Sequence, residues 1–362
     1  MCPVEELCAG ACVLPHEGTG PIAIGRLQRY ACDLALERGA PLRERLPYNW
    51  HDVAVIGAGP AGLACAGELG ALGYHVTVFD ERTEPGGLVR YAIAPYRQLR
   101  DPLPTEARLL ADLGVSFALG LELGSPEALQ ELDEDFDAIV LACGMGADAV
   151  AGLPGDDLPG VWRSLPFIEA LKTGEPPEVG HSVAVIGGGN TAVDLAREAV
   201  RLGAGEVTML YRRTRDAMPA YAHEVAEAEE EGVRFRWLTI PVRYLGEERL
   251  ETIECRLAEL GEPDASGRRR PRELPGSEFL LPVDTVVEAI GQQPRSELLS
   301  WVDGLELDRG RIVVDPETGR TGNPKYFAAG DAVNGGATVV EAVRGAKVVA
   351  RGINEWVRGG AL

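Results

Sequence analysis

In Ile56-Gly57-Ala58-Gly59-Pro60-Ala61-Gly62, three glycines stand in the spacing G-x-G-x-x-G. Between a strand and a helix, that spacing can hold a pyrophosphate. Gly57 permits the tight turn, Gly59 lets backbone N–H groups approach the anion, and Gly62 lets helix and strand close together over it. Asp80 follows 23 residues after Gly57, at the end of Val76-Thr77-Val78-Phe79, where an acid can accept the hydrogen bonds of an adenosine ribose. A second cradle, Gly187-Gly188-Gly189-Asn190-Thr191-Ala192, carries alanine in place of the third glycine. Its following strand ends in Tyr211-Arg212-Arg213-Thr214-Arg215 instead of an acid, so guanidinium groups face the ribose position and suit a 2′-phosphate. One cradle ending in an acid and one ending in arginines imply two different dinucleotides. The second favours NADPH over NADH.

These residues need elements to position them. The apolar run Val53–Ile56, a helix to about Leu72 and a strand from His75 predict one βαβ unit. Val183–Ile186, a helix over Ala192–Leu202 and a strand over Glu206–Tyr211 predict another. Each opens a whole doubly wound domain, since the cradles lie some 130 residues apart, too far for a short solenoid repeat. Glu262–Glu278, with the run Arg268-Arg269-Arg270, reads as a solvated hairpin tip. The first 45 residues, punctuated by Pro and Gly and closing on a helical pattern over Ile24–Leu36, read as an accessory arm.

Composition limits the partners. The 362 residues suffice for two or three domains, and 56 acidic against 35 basic residues leave a net charge of −21, which disfavours nucleic acid and anionic lipid. Neither a signal-peptide pattern nor an apolar run of membrane-spanning length occurs, so the chain is expected to be soluble and cytoplasmic. Cys32, Cys65, Cys143 and Cys255 are scattered singly, which argues against a disulfide framework, and only Cys2, Cys8 and Cys12 cluster. With no Cys-x-x-Cys, dithiol exchange is disfavoured. His51, His75 and His181 stand at strand entrances and His16 and His223 are isolated, so no catalytic side chain is assigned.

Tyr326-Phe327-Ala328-Ala329-Gly330-Asp331, followed by Thr338-Val339-Val340-Glu341-Ala342, resembles the C-terminal flavin motif of flavoproteins with two dinucleotide domains. Ala289-Ile290-Gly291-Gln292-Gln293-Pro294 resembles the return crossing in the same proteins. Cys2-Pro3, Cys8, Cys12 and Gly20-Pro21-Ile22-Ala23-Ile24-Gly25-Arg26-Leu27-Gln28, with Gly86-Gly87-Leu88, Pro95-Tyr96-Arg97, Pro154–Val161 and Arg212–Pro219, are similar to the glutamate synthase small subunits and the flavin/NADPH half of dihydropyrimidine dehydrogenase. The likeness runs over essentially the whole chain.

The resemblance implies an α/β fold of two Rossmann-like doubly wound domains, the NADP domain inserted in a discontinuous FAD domain. The arm would cover 1–48, the FAD domain 49–150 and 282–362, and the NAD(P) domain 151–281. Implied cofactor contacts are Gly57, Gly59, Pro60, Ala61, Gly62, Asp80, Glu81, Gly87, Leu88, Arg97 and Leu123. Further along they are Gly189, Asn190, Thr191, Ala192, Arg212, Arg213, Arg215, Ala289, Ile290, Gly291, Gly330, Asp331, Thr338 and Val339. Hydride would pass from NADPH to FAD, and electrons would leave one at a time through an iron–sulfur relay to a partner subunit.

Cys2, Cys8, Cys12 and Gln28 stand where the family places [4Fe-4S] ligands, Cys12 at the position that serves the other cluster. Four such donors cannot complete two clusters. The expectation is therefore threefold: a start upstream of this one, ligands from a partner subunit, or lost clusters. Two other functions remain open, a stand-alone reductase with a soluble acceptor and a nucleotide-binding assembly or regulatory subunit without turnover.

Overall fold

The computed structural model describes residues 2–41, 43–98, 100–263 and 269–359. The chain divides into two units. One comprises Met1–Arg90, Arg100–Gly146 and Pro294–Leu362, the other Tyr91–Leu99 and Ala147–Gln293.

In the first unit, five parallel strands run in the order Tyr326–Ala328, Ala138–Leu141, Asp52–Ile56, His75–Asp80, Val115–Leu119. Strands covered on both faces need near-continuous apolar sequence, which is what Val53-Ala54-Val55-Ile56 supplies. Alternation along that strand sends Val53 and Val55 into a core with the helices Pro60–Ala71 and Val339–Arg358, while Ala54 and Ile56 enter the opposite core with Leu129 and Leu132 of Pro126–Asp135.

In the second unit, five parallel strands run in the order Val161–Arg163, Thr285–Glu288, Ser182–Ile186, Glu206–Tyr211, Arg234–Trp237. Val183 and Val185 face the helices Ser164–Thr173, Asn190–Arg201 and Ala222–Glu230. Ala184 and Ile186 face an antiparallel sheet through Tyr244, Ile253 and Cys255. That sheet contains the expected hairpin, Thr252–Pro263 pairing with Arg269–Glu273; its tip at 264–268, Arg268 included, lies outside the described residues.

Three stretches, 91–99, 147–150 and 282–293, fall in the second unit, whereas the sequence boundaries place them in the first. Residues 282–293 stay with the second unit because Thr285–Glu288, buried at every position, is the strand between Val161–Arg163 and Ser182–Ile186. An apolar run such as Thr285-Val286-Val287 shows that a strand is buried, not which of two similar sheets buries it.

The arm forms the helix Ile24–Glu37, none of whose residues is buried. Among the described residues no helix is long and apolar enough to cross a membrane.

Candidate functional site

The first cradle is built from close backbone approaches. Gly57 has φ +110°, and a Cβ there would lie 2.3 Å from the Ala142 carbonyl oxygen. A Cβ on Gly62 would lie 1.9 Å from the Gly57 oxygen, so the first turn of Pro60–Ala71 folds directly onto the loop. Gly87, at φ +53°, puts its missing Cβ 2.7 Å from the Gly59 Cα, and the Gly86 amide donates to the Ala58 carbonyl, 2.8 Å. The loop preceding Leu88 thus lies against the cradle with only backbone between. Gly59 caps the helix without a side chain and Pro60 follows it, leaving the early amides of Ala61 and Gly62 without intrahelical acceptors. An anion fits that end.

Asp80 closes the same loop. Its carboxylate accepts from the Ala58 amide at 2.6 Å and from the Arg82 amide at 2.8 Å, which fixes it at the strand end. Gly330, at φ +76°, would place a Cβ 2.8 Å from that of Ala61, so the turn into Asp331 crosses the start of the cradle helix. Asp331 accepts from the Ala337 amide at 3.2 Å, and burial pushes its carboxyl above the ordinary aspartate value. Thr338 and Glu341 form a capping box at the start of Val339–Arg358, whose first residues Val339 and Val340 are exposed. Glu81 is engaged by Arg295 through both carboxylate oxygens, at 2.7 and 3.2 Å, and Arg295 Nε donates to the Cys143 carbonyl at 3.1 Å. Sequence reasoning missed Arg295; the only signal was its place directly after Pro294. Leu123 is a half-buried side chain packed against the core that contains Ile56 and Leu141.

The second cradle repeats the plan with different side chains. A Cβ on Gly187, φ +149°, would lie 2.2 Å from the Ala289 oxygen, and one on Gly188 would meet the Tyr211 ring at 2.4 Å. Nothing lies within 4 Å of a Cβ on Gly189, so the space above the helix start is open. Ala192, where the third glycine would be, is fully buried. Asn190 accepts from the Tyr221 amide at 2.9 Å, while Thr191 is exposed. Ala289 is buried and Ile290 exposed, and the Ala149 amide donates to the Gly291 carbonyl at 2.8 Å.

The three arginines differ. Arg215 is bound to Glu229 through two hydrogen bonds, 2.6 and 2.7 Å. Arg212 is exposed, and Arg213 is half-buried with an Nε that has no partner. A buried donor without an acceptor is costly, and a phosphate oxygen would satisfy it. Arg97, which the resemblance puts at the flavin, lies in the second unit with its guanidinium on Asp194 and Glu224.

In the arm, Cys2 and Gln28 are exposed and Cys8 and Cys12 half-buried. Burial, then the neighbouring Cys8, raises the Cys2 thiol, and hydrogen bonds from the Ile22 and Leu14 backbone lower the Cys12 thiol. Among the described residues no three His, Cys, Asp or Glu side chains gather to hold a metal.

Residues 51–346 match the model of the pyridine nucleotide-disulphide oxidoreductases. The chain belongs to that family. Residues 1–40 match dihydropyrimidine dehydrogenase domain II, 4Fe-4S cluster. The glutamate synthase [NADPH] small chain of Halomonas elongata is 39% identical over 99% of this chain and 79% of its own. The NADP(+)-dependent formate dehydrogenase subunit beta of Moorella thermoacetica is also 39% identical over 99% of this chain, which spans only 54% of that relative. The fold superposes on Mycobacterium tuberculosis FprA in complex with NADPH with a TM-score of 0.71 at 21% identity, covering 87% of this chain and 86% of the other.

This pyridine nucleotide-disulphide oxidoreductase is an NAD(P)H-dependent oxidoreductase by family. The disulphide half of the family name has no counterpart in a Cys-x-x-Cys pair here. Cys65 and Cys255 are buried singly, and burial pushes Cys143, beside the first cradle, up to about 11, so that thiol stays protonated.

Proposed function

We propose that the first cradle holds FAD, that the second holds NADPH, and that the chain is the electron-entry subunit of a larger enzyme. The observation that carries this reading is the pair of backbone cradles with opposite terminal charge, Asp80 closing one and Arg213, with its unpartnered Nε, closing the other beside Arg212. When bound, FAD would take hydride from NADPH and give up its electrons singly. The protein's part is to bind and orient. Gly59 and Gly87 admit the pyrophosphate, the free amides of Ala61 and Gly62 face its charge, and Asp80 takes the ribose hydroxyls. Asp331 stands over the same helix start, and the positive N-terminal end of Val339–Arg358 would favour negative charge on a bound flavin. In the second unit, Gly189 leaves room for the NADPH pyrophosphate while Arg212 and Arg213 take the 2′-phosphate. Glutamate synthase small chains and formate dehydrogenase beta subunits are parts of larger assemblies by name, which supports a partner subunit as the acceptor. Lack of a membrane-crossing helix among the described residues is in keeping with a cytoplasmic location.

The test is anaerobic titration of the purified chain with NADPH. Flavin absorbance present as purified, or after reconstitution with FAD, and bleached by NADPH is the expected result. A chain that takes up no flavin overturns the reading.

A further inference from the structure

The segment around the 3-10 turn Pro95-Tyr96-Arg97 is separated in sequence from the rest of the second unit, yet it is tied to that unit by several side-chain bonds. The Tyr96 amide donates to Glu198 at 3.2 Å and its hydroxyl to Asp194 at 2.5 Å. Arg97 donates to Asp194 through Nε at 2.7 Å and lies 2.6 Å from it through Nη2, and its Nη1 meets Glu224 at 2.6 Å. Arg197 holds the other oxygen of Glu224 at 2.8 Å, and the guanidinium carbons of Arg97, Arg197 and Arg201 lie 5.1, 4.6 and 4.3 Å from the Tyr96 ring centre. Lys172 adds hydrogen bonds to the Ile93 carbonyl and Gln98, both 3.0 Å.

Asp194 and Glu224 are only 9% and 5% exposed, so their charges require partners within the protein. Arg97 joins the two, with its guanidinium on both carboxylates. Asp194 sits one turn inside the cradle helix Asn190–Arg201, and Glu224 sits in the first turn of Ala222–Glu230. The ends of these helices are themselves tied. Asn190 accepts from the amide of Tyr221, the N-cap of the second helix, and the Ala220 amide donates to the Gly188 carbonyl at 3.1 Å. Cradle turn, Tyr221, Glu224, Arg97 and Asp194 therefore form a closed circuit. The chain from Arg212 to Ala220 joins this circuit at its Ala220 end and is held besides by the Tyr211 hydroxyl on the Ala217 carbonyl and the Leu238 amide on the Arg213 carbonyl.

We infer that Tyr96 and Arg97 are positioning residues for the nicotinamide-nucleotide cradle. By clamping Asp194 to Glu224 they set the angle between the helix that meets the pyrophosphate and the loop that carries the 2′-phosphate arginines. The inference rests on the reading that the second cradle binds NADPH, and it assigns Arg97 to that dinucleotide instead of the flavin.

The experiment compares wild type with Arg97→Gln, Arg97→Lys and Tyr96→Phe for three quantities. These are flavin per chain, the Kd for NADP+ by calorimetric titration, and KM and kcat for NADPH with ferricyanide as acceptor. The expected result for Arg97→Gln is wild-type flavin content, a Kd for NADP+ raised tenfold or more, and a raised KM at nearly unchanged kcat, the sign of weakened ground-state binding. Arg97→Lys recovers part of the loss, and Tyr96→Phe costs a few-fold. Loss of flavin with unchanged NADP+ affinity would overturn the inference by returning Arg97 to the flavin, and unchanged affinity in all variants would overturn it outright. Should Arg97→Gln fail to fold, Tyr96→Phe, which removes one hydroxyl, decides the matter. A wild type that binds no NADP+ overturns the proposed function, a result distinct from either.

Discussion

At the scale of single residues, the three arginines after Tyr211 look alike in sequence and have different situations in the fold. Arg215 commits its fork to Glu229, whereas Arg213 keeps a donor without an acceptor and Arg212 faces solvent. Replacing Arg212 and Arg213 together by serine is expected to weaken NADPH binding about tenfold or more for each charge-assisted hydrogen bond removed, with little change for NADH, which has no 2′-phosphate. Parallel KM measurements with the two nucleotides check this, and an equal loss for both would remove the arginines from the phosphate. Arg215→Ser is expected to affect neither strongly.

At the scale of elements, charge pairing joins the cradle helix Asn190–Arg201 to Ala222–Glu230. Hydrogen bonds from Arg197, then Arg201, hold the Glu231 carboxyl down to about 2 against an ordinary value of 4.5. Because the folded value is the lower one, the stability it gives is fully present above about pH 4.5 and is lost as pH falls from there toward 2. After allowance for solvent screening of a partly exposed pair, about 1–2 kcal/mol is expected. Glu231→Gln should therefore melt lower than wild type at neutral pH, and the difference should shrink as the pH is taken below about 4. Thermal denaturation across that range checks it; a constant difference would mean that the pairing contributes nothing.

At the scale of the molecule, each unit has a sheet and cores of its own, so damage to one cradle should be local. Gly62 and Ala192 hold equivalent places, yet only the second tolerates a methyl group. A Cβ at 62 would meet a carbonyl oxygen at 1.9 Å, and backbone cannot move aside as a side-chain tip can. Gly62→Ala is expected to cost at or above the upper end of about 1–3 kcal/mol and to yield flavin-poor protein that still binds NADP+. Flavin content and NADP+ titration on the same sample check this. Normal flavination would mean that the cradle helix can shift at no great cost.

The two cradles, their strands and helices, and the charge that closes each were legible in the sequence because they depend on short-range rules. G-x-G-x-x-G needs glycine for steric reasons confined to one turn, and Asp80 or Arg213 reaches its place by counting along a single strand. Short-range rules do not say which of two similar sheets receives a buried strand, and Thr285–Glu288 went to the second. Nor could they give Arg97 its partners, since Asp194 and Glu224 lie about 100 residues or more away and meet it only after the helices have packed. The same holds for Arg295 and Glu81, and for the difference between Arg213 and Arg215. Sequence alone determined where the two strand–glycine–helix turns form; tertiary packing decided which charges are paired within the protein and which, like the Arg213 Nε, are not, because pairing is settled by distance in space.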